Sequence, residues 1–444
     1  MSITLGEARS EARRLFQSGD YARALRAYDQ ILSAVPLDYE VRFKIADVLA
    51  KVGLTAEAAE LYRTIALHDI RSGHPLPAIV ACEALEALGQ KADELLALLA
   101  TTYASGSPHL GRFAVRPAPV APETRLEPPD LLGTEPFDAV AERARQRALD
   151  LGAFTDIQQQ FHPLPFFSEL GHDAFLAVLR SLVVRRLEDR AVVTRQGEPG
   201  TALYLVASGE VRVVVADSAG EREIAHLFES SLFGEMALIT DQPRSASVVV
   251  VGEADIIEVS KEALHRVTRQ IPALKEVLDR FTRERLIKNL MQTSPLFTPF
   301  TKAQQSDLLR RFEGHEVEPG MEVIREGEPG MGLFVVLTGK LEVVAHAASG
   351  DPVVLARLQT GDICGEMSLL ANQLTSATVR AVTRGTVLFL AREYVERLTA
   401  AIPEVRDYFR AVAAQRAEDN NLRLRGRSLP QDVTEVDASD VLLL

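Results

Sequence analysis

Tryptophan is absent from this chain of 444 residues, cysteine occurs twice, and no apolar run is long enough to cross a bilayer. Each absence excludes something. Cys82 and Cys364 could close at most one bridge, so neither a disulfide framework nor a cysteine-rich zinc site can be built, and a reducing compartment fits. The nine histidines are scattered, with no HExxH and no other pair at metal-binding spacing on one helix face, so no metal is expected. A membrane span needs about 18 apolar residues, and the opening MSITLGEARSEARRLF lacks the apolar core of a signal peptide. A cytoplasmic protein without a membrane span is therefore expected. Basic residues are in deficit: 49 Lys and Arg against 62 Asp and Glu give a formal charge of -13, which disfavours a broad footprint for nucleic acid. No P-loop, nucleophile elbow or kinase signature appears, so the chain is not expected to be an enzyme.

What is present is repetition, at two periods. Ala12, Leu15, Gly19, Ala24, Tyr28 and Ile31 recur 34 residues later as Ala46, Leu49, Gly53, Ala58, Tyr62 and Ile65. The segments between are Ala-rich and apolar at three- and four-residue spacing, with turns at Gly19-Asp20, Pro36-Leu37-Asp38 and Gly53, which describes antiparallel helix pairs. The pattern resembles the tetratricopeptide repeat, with Pro36 as its closing proline; the family's Trp and first Tyr are missing. Gly73, Ala78, Cys82 and Leu85 repeat the internal spacing after only 20 residues, so a third unit is irregular. A plain Ala-rich helical bundle is the alternative. This region is assigned to residues 1–105. Seven prolines between Pro108 and Pro136 mark a linker at 106–136. The helical segment PFDAVAERARQRALDL after it is assigned to the next domain.

The second period is about 130 residues. PFFSEL at Pro165 matches PLFTPF at Pro295, and GEPGTALYLV at Gly197 matches GEPGMGLFVV at Gly327. LFGEMALITDQPRSASV at Leu232 then matches ICGEMSLLANQLTSATV at Ile363, one residue further out of step. Two tandem copies of one fold follow, assigned to 137–290 and 291–417, with an acidic tail at 418–444. Runs such as LYLVASGEVRVVVA read as strands of a small antiparallel roll, and the segments broken by Pro272 and Pro403 read as C-terminal helices. The fold class is multidomain α + β: N-terminal helical hairpins, then two β-rolls of jelly-roll type with flanking helices.

Within the first copy, Phe233-Gly234-Glu235-Met236-Ala237-Leu238 is followed by Arg244-Ser245-Ala246. A glycine-started helical turn offers amides to an anion, Arg244 can bind a phosphate bidentately, and Glu235 can accept from sugar hydroxyls. Phosphate and sugar together point to a nucleotide. These residues resemble the phosphate-binding cassette of the cyclic nucleotide-binding domain family. That resemblance implies that Arg244 binds the cyclic phosphate and Glu235 the ribose 2'-hydroxyl, with the backbone around Gly234, Met236, Ala237 and Ala246 lining the pocket. Ser245 is a further candidate donor to phosphate or to a guanine edge. In the second copy Gly365, Glu366, Met367, Ser376 and Ala377 are kept, but Thr375 stands where the first has Arg244. A degenerate second pocket is expected, or else an altered ligand that needs no arginine. Arg380 has the opposite strand parity to Thr375 and should point away. Without Trp, any cap over a base must be aliphatic, Tyr or Arg from the helices after residue 260.

These readings predict a cyclic-nucleotide-responsive regulatory or adaptor protein, with cAMP favoured over cGMP and a protein partner met through residues 1–105. The tandem copies are similar to those of cAMP-dependent protein kinase regulatory subunits, yet no Arg-Arg-x-Ser/Ala segment precedes residue 155. A scaffold with empty pockets is one alternative. A transcription regulator related to the bacterial cAMP receptor family is another, opposed by the short acidic stretch LPQDVTEVDASDVLLL where a DNA-reading helix would be needed.

Overall fold

The computed structural model describes residues 2–36, 38–111, 120–151, 161–164, 166–217, 220–234, 243–293, 296–297, 299–346, 350–371 and 373–424. A short strand, β1 (Ile3–Thr4), precedes helices α1 (Leu5–Gln17), α2 (Tyr21–Ala34), α3 (Tyr39–Lys51), α4 (Thr55–Ser72), α5 (Pro75–Ala87) and α6 (Asp93–Tyr103). Their starts are set by side chains: Thr4 and Glu7 form a capping box on α1, and Asp20 and Asp38 accept from Arg23 and Val41 amides on α2 and α3. Gly19 and Gly53 turn the chain between paired helices at φ +82° and +88°, a conformation costly for any residue with a Cβ. The repeated Ala12, Ala24, Tyr28, Ile31, Ala46, Leu49 and Ala58 are buried, so small residues sit where α1 packs on α2 and α3 on α4. The irregular third unit is α5 against α4, followed by α6.

The proline-rich stretch is only partly a spacer. In it, β2 (Arg125–Leu126) pairs antiparallel with β1, Leu126 is buried, and Asp130 and Gln30 exchange hydrogen bonds at 2.6 and 3.0 Å. Residues 112–119 lie outside the described residues. Helix α7 (Phe137–Leu149) corrects the sequence assignment: it packs on α2, α3 and α4 of the array rather than on the first roll. Its Val140, Ala141, Ala144 and Ala148 face is buried, Arg143 Nε reaches Asp29 at 2.8 Å, and Arg147 also pairs with Asp29. Arg42 donates to the carbonyls of Arg147 and Ala148 at 2.9 and 2.7 Å, closing the helix end that would otherwise leave acceptors unpaired.

The first roll begins after α8 (His172–Leu179). It contains β3 (Val183–Leu187), β4 (Val192–Thr194), β5 (Ala202–Asp217), β6 (Gly220–Leu227), β7 (Leu232–Phe233) and β8 (Ser247–Ser260), then α9 (Lys261–Gln270) and α10 (Ala273–Thr293). The strand order is β3-β8-β5-β6, with β4 also on β8 and β7 on β5. The second copy has α11 (Lys302–Leu309), β9 (Glu313–Val317), β10 (Glu322–Ile324), β11 (Gly332–Thr338), β12 (Leu341–His346), β13 (Pro352–Leu358) and β14 (Ile363–Cys364). It continues through α12 (Glu366–Ala371), β15 (Thr378–Ala381), β16 (Gly385–Ala391), α13 (Arg392–Ala401) and α14 (Pro403–Leu424). Here the sheet divides into β14-β11-β16-β9 and β10-β15-β12-β13. The segment assigned to the acidic tail from 418 is helical as far as Leu424, and residues from 425 lie outside the described residues.

Strand alternation sorts the cores. Leu203, Leu205 and Ala207 of β5 face the helices and join one apolar core that runs through α8, α9 and the N-terminal array, while Ala202, Tyr204 and Val206 face the inside of the roll. Both cysteines are free and buried, and burial pushes the Cys82 thiol up to about 12 and raises Cys364 as well. Neither is expected to react with an aromatic disulfide reagent at pH 8 in the native state, and both should do so in denaturant; a stoichiometric native reaction would contradict this packing. Among the described residues no helix is long and apolar enough to cross a membrane, and no group of His, Cys, Asp or Glu could hold a metal ion.

Candidate functional site

In the first roll Arg244 lies just before β8 and is only 8% exposed, so its side chain runs inward despite its charge. The repeated GEPG turn fixes it there. Gly197 donates to the carbonyl of Arg244 and the Arg244 amide donates to Glu198, both at 2.8 Å, while Pro199 bridges Pro243. The guanidinium donates from Nη1 to the carbonyl of Gly234 at 2.8 Å and from Nη2 to that of Ala202 at 2.7 Å. It lies 5.4 Å from the Tyr204 ring centre, and Tyr204 stacks on Phe233 at 5.2 Å. Burial raises the Tyr204 pKa, keeping a neutral ring beside the cation.

Gly234 has φ +78°, and a Cβ built on it would stand 2.5 Å from Arg244 Nη1. The glycine thus serves both the turn and the space needed by the arginine. The structure brings Gly234, Arg244 and Ala246 to one inner wall, with Ala246 buried and Ser245 exposed beside them. Glu235, Met236 and Ala237 lie outside the described residues. Sequence reasoning missed Ala202 and Tyr204, which line the same wall; their only signal was inward strand parity on β5.

The second cassette has the same frame and a different filling. Gly365 has φ +93°, α12 follows it, and Gly327 and Thr375 share the backbone bond made by Gly197 and Arg244. Thr375 is turned onto the preceding loop: its Oγ1 lies 2.5 Å from Arg325 O and 3.0 Å from Glu328 O, and accepts from the Glu328 amide at 3.2 Å. Glu366, 2% exposed, accepts from Arg416 Nη1 of α14 at 2.9 Å, and Arg416 also donates to Ile363 O at 2.7 Å. A Cβ on Gly365 would lie 2.5 Å from the Gly332 carbonyl, against 3.3 Å for Gly234 and the matching Ala202 carbonyl, so the wall is tighter. Met367 is half-buried, Ala377 buried and Ser376 exposed. Arg380 is exposed and paired with Glu342 at 2.6 Å across β12 and β15, as sheet parity requires.

Two family models match stretches of this chain. The cyclic nucleotide-binding domain model matches residues 184–270 and 315–401, and the tetratricopeptide repeat model matches 9–75. A cAMP-dependent protein kinase regulatory subunit of Yarrowia lipolytica is 30% identical over 241 residues, 53% of this chain and 59% of that protein. One from Neurospora crassa is 27% identical over 262 residues, 57% of this chain and 65% of that one. Human cGMP-dependent protein kinase 2 is 22% identical over 323 residues, 72% of this chain and 40% of the kinase. The chain thus spans less than two thirds of each of these relatives. Residues 184–270 and 315–401 are two cyclic nucleotide-binding domains, and residues 9–75 form a tetratricopeptide repeat segment.

Proposed function

We propose that the chain is a regulatory protein whose first domain binds a cyclic nucleotide and whose second does not. The observation that carries this reading is the contrast at one position: a buried guanidinium at Arg244, and a threonine closed onto its own loop at Thr375. In this reading Arg244 takes the phosphate, Glu235 the ribose, and Gly234, Met236, Ala237, Ser245 and Ala246 the rest of the pocket wall. cAMP is favoured, because the curated relatives of highest identity above are named for cAMP; cGMP is the second ligand, named by the human kinase. The array, which includes residues 120–149 by its packing, meets a protein partner, and the protein works in the cytoplasm without an enzymatic activity of its own.

Ligand would draw the cassette toward Arg244 and shift α9 and α10, which share the apolar core reaching the array. The size of any such response is bounded by the ligand's differential affinity for the two states. Titration calorimetry of the full chain with cAMP and with cGMP tests the reading. One site per chain is expected; two equal sites would refute the inactive second pocket, and no heat with either nucleotide would leave the scaffold reading in its place. Gly234→Ala should weaken that site by tenfold or more, because its Cβ would displace the guanidinium from 2.5 Å away. Unchanged affinity in that variant would show that binding does not need the guanidinium in this position.

A further inference from the structure

The duplication supplies an internal comparison away from either pocket. In the first copy, Gly209 at φ +82° opposes a bulge at Gly252 and Glu253 in β8, where Ala254 pairs with Gly209 and Val251 with Glu210. A Cβ on Gly209 would stand 2.1 Å from the Glu253 carbonyl, so the bulge is held tightly. It carries the Glu253 carboxylate to the array: 2.7 Å from Lys44 Nζ on α3, 3.1 Å from Arg13 Nε and 3.2 Å from Gln17 Nε2 on α1. On the adjoining edge strand β3, Arg186 makes two bonds of 2.7 Å to Asp47 of α3, whose carboxylate also accepts from Tyr62 at 2.6 Å. Asp255, which pairs with Arg186 across the strands, holds the same guanidinium at 3.1 Å. Helix α5 touches β3 and β5 beside them.

The second copy keeps the glycine and the strand register here, although Thr383, unlike Gly252, has no positive φ. Gly339 is at φ +85°, with a built Cβ 2.8 Å from the Arg384 carbonyl, and β9 pairs with β16 in matching register. Its charges are reversed. Arg384 stands where Glu253 does, and Glu316 where Arg186 does. These two pair with each other at 3.3 Å while remaining 62% and 59% exposed. Set against the array, this edge would bring Arg384 toward Arg13 and Lys44, and Glu316 toward Asp47. Like charges brought together in a partly buried contact reject the wrong partner as firmly as the matched pairs hold the right one.

We infer that the array face formed by α1, α3 and α5 is a charge-coded docking surface whose occupant is the β3–β8 edge of the first binding domain, and that the same edge of the second domain is excluded by its reversed charges. The face is closed in this state. A protein partner using it must displace the first domain's edge by presenting a carboxylate to Arg13 and Lys44 and a guanidinium to Asp47. The charged residues that make this docking are not those of either pocket.

Hydrogen exchange of the full chain tests it without nucleotide. Replacing the two edge residues by their second-copy counterparts, R186E with E253R, should speed amide exchange in 39–51 and 250–257 by at least tenfold, with 211–215 inside the first roll and 332–338 in the second unchanged as folded controls. Unaltered exchange in 39–51 would overturn the docking. A charge swap tests the code: E253K alone should open the face, and K44E with E253K should restore at least half of the lost protection. If the swap restores nothing while the two control segments stay protected, recognition by charge is refuted.

Discussion

Arg244→Ala is expected to lower the affinity of the chain for its cyclic nucleotide by roughly thirtyfold to several thousandfold, the range that follows from losing a buried charge-assisted contact worth about 2 to 5 kcal/mol. The geometry supports the upper part of that range. The guanidinium is 8% exposed, oriented by two carbonyls and set beside an aromatic ring, so little reorganisation opposes its meeting a phosphate. The same bonds give the variant a structural cost, since the carbonyls of Gly234 and Ala202 lose their donor; leaving such a buried acceptor unpaired costs about 1 to 3 kcal/mol. Arg244→Lys separates the two effects, because it keeps the positive charge and loses the planar fork. Calorimetric titration of both variants, with thermal unfolding alongside, should show the alanine variant folded and without measurable heat, and the lysine variant weakened but binding. An alanine variant that binds as tightly as the parent would remove Arg244 from the site.

The division into an array and two rolls is legible in the sequence because repetition carries it. Identical residues at one offset imply one backbone, and the alternation in LYLVASGEV already separates Leu203 and Leu205 from Tyr204 and Val206. What the sequence left open is which surfaces meet. The buried stripe Val140, Ala141, Ala144 and Ala148 says that α7 must cover something, but an apolar face carries no address. Its address is Asp29, more than a hundred residues earlier, and nothing marks that aspartate among the many acids of the chain. The proline-rich segment misled for a similar reason: proline forbids helix without forbidding contact, and β2 docks through a single buried Leu126. The pairing of Arg186 with Asp47 was equally hidden. The two copies set side by side single out Arg186 and Glu253, as sign reversals against Glu316 and Arg384, but nothing in them names Asp47.

The duplication also bears on the second pocket. The offset that aligns the cassettes also places Arg285 of α10 in register with Arg416 of α14, so both copies carry an arginine at this position of the C-terminal helix. The pairing of Arg416 with Glu366 therefore does not by itself distinguish the pockets; position 244 against 375 does. What the pair does is hold α14 to the cassette in the domain that has Thr375 at the position of Arg244.

Arg416→Ala should accordingly destabilise the second domain by about 3 kcal/mol or more, because it leaves the Glu366 carboxyl, 2% exposed, without its guanidinium, and breaking one side of a buried pair costs about 3 to 5 kcal/mol. The Ile363 carbonyl loses the same donor, which adds to the cost. Glu366→Gln should be milder. Arg416 is 26% exposed and can turn toward water, while the amide oxygen still accepts from it. Urea unfolding followed by circular dichroism, with hydrogen exchange assigning the transition to residues 315–401, measures both. The ordering is the sharper test: Arg416→Ala more damaging than Glu366→Gln means that burial of the acid dominates, whereas equal effects would mean that the pair acts only as a surface tether. Nucleotide affinity at the first pocket should be unchanged in Glu366→Gln, since the acid belongs to the second domain and Arg244 to the first.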